Sequence, residues 1–193
     1  MYKQQTLWGE SELKFQRVWA MPCGNTFSIK PIKQMIEYDV ARLGKDAVIV
    51  DPFANSSTFG TITNDLNPEF NTTYHLDALT FLSQLETESA DMVLYDPPYS
   101  ITQASELYQD FGKEKLDISV ANMAYWSNCK DEVARILKPN GVCISFGWNT
   151  NGLGENRGFV RTDILIVSHG GSRNDTLCTR EEKRLVYGQK PIN

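Results

Sequence analysis

Short apolar runs recur along the middle of the chain, and polar turns separate them. Runs rich in β-branched and apolar residues predict buried strands at residues 47–50, 91–95 and 142–148. Two shorter mixed runs predict further strands at residues 61–64 and 72–76. The run at residues 47–50 is short, β-branched and bounded by Asp51 and Pro52, so a fully buried strand is the better interpretation.

Amphipathic segments lie between these runs. Apolar residues at helical spacing predict one helix at residues 77–85, capped by Asp77, and a longer one at residues 119–137. The last two apolar runs, residues 162–168 and 177–187, predict two strands joined by a hairpin loop. Strands that alternate with helices and end in a hairpin indicate an α/β fold with a mostly parallel sheet and an antiparallel end.

Length and composition predict one globular domain over residues 1–193. The chain has 193 residues, 41% hydrophobic and 22% charged, which is ordinary for a soluble domain. The sequence contains no apolar run of about 20 residues, so we expect no membrane association. Its four cysteines form no CxxC pair and there is no metal-spaced His/Cys cluster, so we expect reduced thiols, no metal and a cytoplasmic location.

The negative charge is concentrated in one part of the chain. The formal net charge is −5, but residues 51–100 contain eight acidic residues and no Lys or Arg. Residues 1–50 and residues 151–193 each carry a net charge of +2. The flanking segments are therefore where a polyanion would bind, because the central block would repel it.

Acidic residues also follow the predicted strands of this block. Asp51, Asp65 and Asp96 come directly after strands, and Asp77 follows another by two residues. In parallel sheets the carboxyl ends of strands meet at one edge, where ligands bind. Carboxylates there suit a ligand with hydroxyls, an exocyclic amine and a positive charge. The block has no phosphate-binding glycine motif and no basic residue, so a phosphate-rich cofactor is a poor match.

The sharpest motif is Asp96, Pro97, Pro98 and Tyr99, directly after a predicted buried strand. Two prolines fix an extended turn, which holds the Asp96 carboxylate and the Pro97 carbonyl as neighbouring acceptors. Tyr99 adds a flat aromatic face. Two acceptors beside an aromatic ring suit a planar base that carries an amino group.

Taken together, these segments resemble the S-adenosylmethionine-dependent amino-methyltransferases of DNA, with the motif order of their γ-type members and the small size of phage-like ones. The resemblance covers about residues 25–185. It implies a class I methyltransferase-like, Rossmann-type fold, S-adenosylmethionine as cofactor, and methylation of the N6 amine of adenine in DNA. The target base would be flipped out of a duplex or presented in a single strand.

The resemblance also implies the site residues. Asp96, Pro97, Pro98 and Tyr99 match the family's catalytic motif. The residues that match its cofactor-binding segments are Phe27, Ser28, Lys30, Asp51, Pro52, Phe53, Asn55, Ser56, Asp65, Leu66, Asp77 and Ala78. Within this set, Asp65 corresponds to the acid that takes the ribose hydroxyls and Asp77 to the acid that binds the adenine amine of the cofactor.

Two features depart from the family pattern. Asn55 and Ser57 replace the glycines of the loop after the first strand, although Asn tolerates a left-handed backbone. The chain also has no long target-recognition region, so a partner chain or a homodimer is expected to supply specificity. Basic residues expected to meet phosphates are Lys113, Lys115, Arg157, Arg161, Arg173 and Arg180.

Three other functions fit the same residues. The amine of cytosine in DNA and the base amines of RNA are alternative methyl acceptors. The altered loop and the short recognition region also fit a non-catalytic S-adenosylmethionine-binding module, against which the complete motif of Asp96 to Tyr99 argues.

Overall fold

A computed structural model describes residues 2–6, 9–98, 123–171 and 173–184, and of residues 2–6 and 9–11 the backbone alone. The strands are β1 (Tyr2–Thr6), β2 (Gly9–Trp19), β3 (Ile49–Asp51), β4 (Ile62–Thr63), β5 (Ala90–Tyr95), β6 (Leu137–Gly147), β7 (Phe159–Ser168) and β8 (Thr176–Lys183). The helices are α1 (Lys30–Leu43), α2 (Ala78–Ser83) and α3 (Met123–Ile136). Short 3₁₀ turns lie at Thr26–Ser28 and Glu155–Arg157.

The strands form one sheet in the order β1-β2-β7-β8-β6-β5-β3-β4. β2, β7, β6, β5, β3 and β4 point in the same direction. β8 is antiparallel to β6 and β7 on either side of it, and β1 is antiparallel to β2. The predicted mostly parallel sheet with an antiparallel C-terminal hairpin is therefore confirmed. The predicted last strand extends to residue 187, and its final three residues lie outside the described part of the chain.

The central strand β5 is buried on both faces. Val93 packs with Phe81 of α2 and Val133 of α3 in one apolar cluster. Leu94, the next residue, packs with Ile36 of α1 in the cluster on the other face. Alternate side chains therefore enter opposite layers, which is why this strand is a continuous apolar run. None of the helices in the part of the chain that the structure describes is long and apolar enough to cross a bilayer.

A buried ion pair attaches α1 to the sheet. Arg180 of β8 donates to both carboxylate oxygens of Asp39 at 2.7 and 2.9 Å, and both side chains are buried. Burial disfavours the charged guanidinium, but hydrogen bonds and charge from Asp39 and Glu182 outweigh it and raise the pKa of Arg180. A paired, hydrogen-bonded geometry is what allows two charges to be buried. Removing Arg180 would leave Asp39 with Arg42 as its charged partner, at 3.2 Å, and removing Asp39 would leave Arg180 with Glu182 at 2.9 Å.

Several sequence predictions differ from the structure. The strand predicted at 72–76 is reduced to one parallel bridge between Asn64 and Tyr74. The strand predicted at 142–148 ends at Gly147, and Trp148, its predicted last residue, is 44% exposed. Neither α1 nor β2 was predicted. α3 is described from Met123, so the predicted helix start at residues 119–122 lies outside the described residues.

Three of the four cysteines are small core side chains. Cys129, Cys143 and Cys178 are buried, Cys23 is exposed, and all four are free thiols. Burial raises the pKa of Cys129 to about 12 and raises the pKa values of Cys143 and Cys178 further. The three buried thiols are therefore poor nucleophiles.

The connection from β6 to β7 follows the surface of the core without an α-helix. Leu153 in this connection is 1% exposed. The carboxylate of Glu181, on β8, accepts from the backbone N–H groups of Leu153 at 2.6 Å and Gly154 at 3.2 Å. Burial raises the pKa of Glu181, while these two N–H groups oppose the shift. Lys130 of α3 donates to the Gly152 carbonyl at 2.6 Å. The sheet, through Glu181, and the helix α3, through Lys130, therefore both hold this connection.

Gly152→Ala should destabilise the protein by about 3 kcal/mol, because two costs add. Gly152 has a φ of +54°, and a Cβ there would overlap the Glu181 carboxylate. Gly158→Ala is the matched control, since Gly158 has a φ of +83° with nothing within 4 Å of the added Cβ. Gly158→Ala should lower the free energy of unfolding only by the conformational cost, about 1–2 kcal/mol. Urea unfolding measures the free energy of unfolding of both variants. Equal destabilisation by Gly152→Ala and Gly158→Ala would contradict the overlap with Glu181.

Candidate functional site

A cavity of about 370 Å³ lies at the carboxyl ends of β3, β4 and β5. Its volume is within the range of small-molecule sites. The lining residues are Gly24, Asn25, Thr26, Phe27, Pro52, Phe53, Ala54, Asn55, Asn64, Asp65, Leu66, Asn67, Phe70, Leu76, Ala78, Asp96, Pro97, Pro98 and Trp126. Segments far apart in sequence therefore meet at the edge where the parallel strands end.

Most of the predicted site residues meet in this cavity. Those that line it are Phe27, Pro52, Phe53, Asn55, Asp65, Leu66, Ala78, Asp96, Pro97 and Pro98. Those that do not are Ser28, Lys30, Asp51, Ser56 and Asp77. Tyr99 lies outside the described residues.

The loop after β3 makes its turn without the expected glycines. Asn55 adopts a left-handed conformation with a φ of +49°, as its side chain tolerates. The Ser57 N–H donates to the Ala54 carbonyl at 2.7 Å and closes the turn. Asn55 therefore adopts the left-handed conformation expected of it, while its role in cofactor binding and that of Ser57 stay predictions.

Asp65 orients its carboxylate through two backbone contacts. One oxygen accepts from the Asn55 N–H at 2.8 Å, and the other accepts from the Asn67 N–H at 2.9 Å. Each carboxylate oxygen has two lone-pair sites, so both can still accept from a ligand hydroxyl. Asp65 thus joins the loops after β3 and β4 and presents charge to the cavity.

Asn64, which sequence reasoning did not single out, is buried beside Asp65. Its side-chain amide donates to the carbonyls of Pro52 at 3.1 Å and Leu76 at 3.0 Å. Its amide oxygen accepts from the Leu76 N–H at 2.9 Å. Three segments of the cavity wall are therefore fixed by one side chain. An Asn at a strand end is a weak signal in a sequence, because Asn is also common in turns.

Asp77 caps α2, as predicted. One oxygen accepts from the N–H groups of Leu79 at 3.1 Å and Thr80 at 3.2 Å, and the other accepts from the Tyr125 hydroxyl at 2.6 Å. The next residue, Ala78, lines the cavity, but Asp77 does not. Its carboxylate is thus committed to the helix and to α3, so the role of Asp77 as an adenine-amine acceptor stays a prediction.

Asp51 lies beneath the cavity and not on its wall. It is fully buried, and among the described residues its Oδ2 has no hydrogen-bond partner. Burial raises the pKa of Asp51 well above its usual range, against the Phe53 N–H, and the charges of Asp96 and Asp65 raise it further. Asp65 and Asp96 therefore lie near enough to Asp51 to affect its pKa, and burial favours the neutral form of Asp51.

A strap of residues 24–27 crosses the cavity from the end of β2. Asn25 accepts from the Phe27 N–H at 3.1 Å and donates to the Ser56 hydroxyl at 2.9 Å. Phe27 packs against Phe146 of β6, with ring centroids 4.9 Å apart. Ser56 therefore fixes the strap from outside the cavity wall. Ser28 and Lys30 are exposed just beyond the strap.

Trp126 forms the aromatic wall that the sequence did not reveal. It lies on α3, and its ring centroid is 6.3 Å from that of Phe53. Phe53 in turn packs edge-on against Tyr95 at 5.6 Å. At helical spacing a tryptophan of this kind is indistinguishable from a core residue, so its place in the site depends on the tertiary structure.

The electrostatics of the cavity follow from its lining. Asp65 and Asp96 are its charged lining residues, and no described Lys or Arg lines it. Asp65 can hold hydroxyls, while apolar residues such as Leu66, Phe70 and Leu76 can enclose a flat ring. Among the described residues no group of three or more His, Cys, Asp or Glu could hold a metal ion. The arrangement suits a cationic ligand with hydroxyls and an aromatic ring.

The predicted phosphate-binding residues have different environments. Arg157 pairs with Asp131 at 2.6 Å and donates to the Ser127 hydroxyl at 2.8 Å, and Arg180 is buried against Asp39. Arg161 is half-buried, and Arg173 is exposed in the loop between β7 and β8. Lys113 and Lys115 lie outside the described residues. Arg173 is therefore the described member most accessible to a phosphate.

No protein-family model matches the sequence, and no curated protein matches it. Several solved structures are similar to the chain in fold. The 1,6-didemethyltoxoflavin-N1-methyltransferase of Burkholderia thailandensis, with bound 1,6-didemethyltoxoflavin and S-adenosylhomocysteine, is 14% identical with a TM-score of 0.52 over 80% of this chain and 77% of that one. The N-methyltransferase NodS of Bradyrhizobium japonicum is 10% identical with a TM-score of 0.53 over 84% of this chain and 99% of that one.

TrmN of Thermus thermophilus is also similar, with 15% identity and a TM-score of 0.51 over 80% of this chain and 49% of that one. At these identities the likeness establishes the fold, and one fold serves many substrates. The chain therefore has the mixed α/β fold of class I methyltransferases, as the resemblance in its motifs implied.

Asp51→Asn should become more stabilising, relative to the wild type, as the pH rises. Below about pH 4 the carboxyl is protonated in the folded and unfolded states alike. Above that, the unfolded state releases a proton that the folded state keeps, because the folded pKa is raised. The free energy of unfolding of the wild type then falls, relative to that of the variant, by up to about 1.4 kcal/mol per pH unit until the pH passes the folded-state pKa.

Urea unfolding of both proteins across pH measures this difference. Asp46→Asn is the control, because Asp46 is exposed in the loop before β3. A free-energy difference between wild type and Asp51→Asn that does not change with pH would show that Asp51 is not held neutral.

Proposed function

We propose that this chain transfers a methyl group from S-adenosylmethionine to the N6 amine of adenine in DNA. The observation that carries the proposal is that Asp96, Pro97 and Pro98 line the same cavity as Asp65 and Leu66. Acceptors for a target amine and a pocket for a cationic, hydroxyl-bearing cofactor therefore share one wall. The class I methyltransferase fold supports the proposal, since this cavity lies where ligands bind in such sheets.

The residues present fit S-adenosylmethionine. Asp65 would take the ribose hydroxyls, and Leu66, Phe70 and Ala78 would enclose the adenine ring. Asp96 places a negative charge at the cavity, which favours a sulfonium. Two of the similar structures contain S-adenosylhomocysteine, the demethylated form of this cofactor.

When bound, S-adenosylmethionine supplies an electrophilic methyl group on a positively charged sulfur. The protein must then hold the acceptor amine in line with that group. Asp96 follows the last residue of β5, a strand buried on both faces, so its backbone position is rigid. Its carboxylate and the Pro97 carbonyl can each accept one N–H of the target amine. This fixes the nitrogen and opposes delocalisation of its lone pair into the ring.

The nitrogen would gain the methyl carbon as the carbon–sulfur bond breaks and its electron pair stays on a sulfur that is then neutral, and the nitrogen must lose one proton. Asp96 accepts a hydrogen bond from that N–H and can pass the proton to solvent, so it acts as an oriented acceptor. Proximity supplies the larger part of the rate increase, because a bound amine is held at the reacting distance. Tyr99, by its match to the family motif, is the proposed stacking partner of the target ring.

The resemblance of the motif around Asp96 selects DNA adenine over the other acceptors, since the fold itself does not. Cytosine N4 in DNA and base amines in RNA remain as outcomes of the product analysis. The complete motif of Asp96 to Tyr99 argues against a non-catalytic binding module. The loop after β3 removes one reason for that alternative, because Asn55 adopts the left-handed conformation and Ser57 donates within the turn.

Asp96→Ala should lower methyl transfer at least about 100-fold, because an oriented acceptor at the reacting atom is lost. Cofactor binding should be largely retained, since Asp65 and the apolar wall remain. Labelled cofactor, DNA and nucleoside analysis measure the transfer and identify the methylated base. Asp46→Ala, an exposed acid at the opposite edge, is the matched control. Normal methylation by Asp96→Ala would remove Asp96 from the site.

Asp65→Ala should weaken cofactor binding about 10- to 100-fold, the value of a hydrogen bond to a charged group. Glu69→Ala is the control, because Glu69 is an exposed acid in the same loop. Calorimetric titration measures both affinities, and thermal unfolding checks that the loops at Asn55 and Asn67 remain folded. Equal affinity for wild type and Asp65→Ala would place the ribose elsewhere.

A further inference from the structure

The cavity occupies one half of the carboxyl edge of the sheet. Its lining comes from the loops after β3, β4 and β5, from the strap and from α3. Among the described residues, none of the loops that follow β6 and β7 contributes to it. Asp96 directly follows β5, at the boundary between the two halves of this edge. A ligand that contacts Asp96 from outside the cavity must therefore lie over the ends of β6, β8, β7 and β2.

That other half of the edge exposes two tryptophans. Trp148 directly follows β6, the strand that pairs with β5, and Asp96 directly follows β5. Trp148 is 44% exposed. Trp19 ends β2 and is 64% exposed. Its ring nitrogen lies close to Gly170 in the loop after β7, 3.3 Å from the position that a Cβ on this glycine would take. Tryptophan combines a large apolar ring with a polar N–H group and is enriched at binding interfaces.

Charge favours a polyanion on this half and opposes one on the other. Residues 51–100, which form most of the cavity half, contain eight acids and no Lys or Arg. The other half presents Arg173, which is exposed, and Arg17, whose side chain is 65% exposed and meets Asp175 at 3.4 Å. A phosphate backbone can therefore approach Asp96 from the side of β6 and β2.

We propose that Trp148 and Trp19 form an aromatic platform that stacks the bases of the single DNA strand presenting the target adenine to Asp96. The proposal rests on the proposed function. From β6 to β2 is three strand spacings, about 14 Å, which is about four stacked nucleotides. Stacking on aromatic rings tolerates any base. The platform therefore holds DNA without a recognition domain and with little sequence preference.

The test measures binding of a fluorescent, random-sequence single-stranded oligodeoxynucleotide by anisotropy at fixed salt. Trp148→Ala and Trp19→Ala should each weaken binding about 5- to 100-fold, and Trp148→Phe should retain most of it. Tyr38→Ala is the matched control, because Tyr38 is 63% exposed on α1, away from this edge. Its affinity should equal that of the wild type.

Cofactor titration of the same variants separates the platform from the cavity, since both tryptophan variants should bind S-adenosylmethionine normally. Wild-type DNA affinity in both variants, with methylation still dependent on Asp96, would overturn the platform and leave the proposed function intact. Weaker DNA binding by both variants, with no nucleic acid methylated by the wild type, would support the platform and refute the methyltransferase proposal. Tighter binding of RNA or duplex DNA than of the single strand would overturn the assigned occupant.

Discussion

The cavity depends on the buried side-chain amide of Asn64. Its amide group bonds the loop after β3 at Pro52 and the segment before α2 at Leu76, while its backbone pairs with Asp51 and Ala54. Both a donor and an acceptor are needed at this point, which an amide supplies and a carboxylate cannot. Because Asn64 is 1% exposed, these bonds are shielded from water and any lost partner would be costly.

Around this amide the protein concentrates acids without a described cation in the cavity wall. Burial is the main cause of the raised pKa of Asp51, and the charges of Asp96 and Asp65 add to it. Asp65 and Asp96 are the acids that line the cavity. The same concentration of acids favours cations and repels phosphate, so the two halves of the sheet edge are chemically different.

The strand-end acids were predictable, because parallel strands end at one edge and a buried strand is visible as an apolar run. The direction in which each carboxyl group points was not predictable. Asp51 points beneath the cavity and Asp77 into a helix cap, and which way a side chain turns after a strand depends on tertiary contacts. The helix α1 was missed because Asp39 interrupts its apolar face, and only Arg180, distant in sequence, explains a buried acid there.

The exposure of Trp148 follows from the way the chain leaves β6. No α-helix covers this connection, and Leu153 is drawn into the core five residues later, where Glu181 accepts its N–H. Trp148 therefore stays at the edge of the sheet, where it is 44% exposed. A buried glutamate on β8 thereby fixes the connection that follows this tryptophan. One fold serves many functions, and the connections between its strands are where such differences arise.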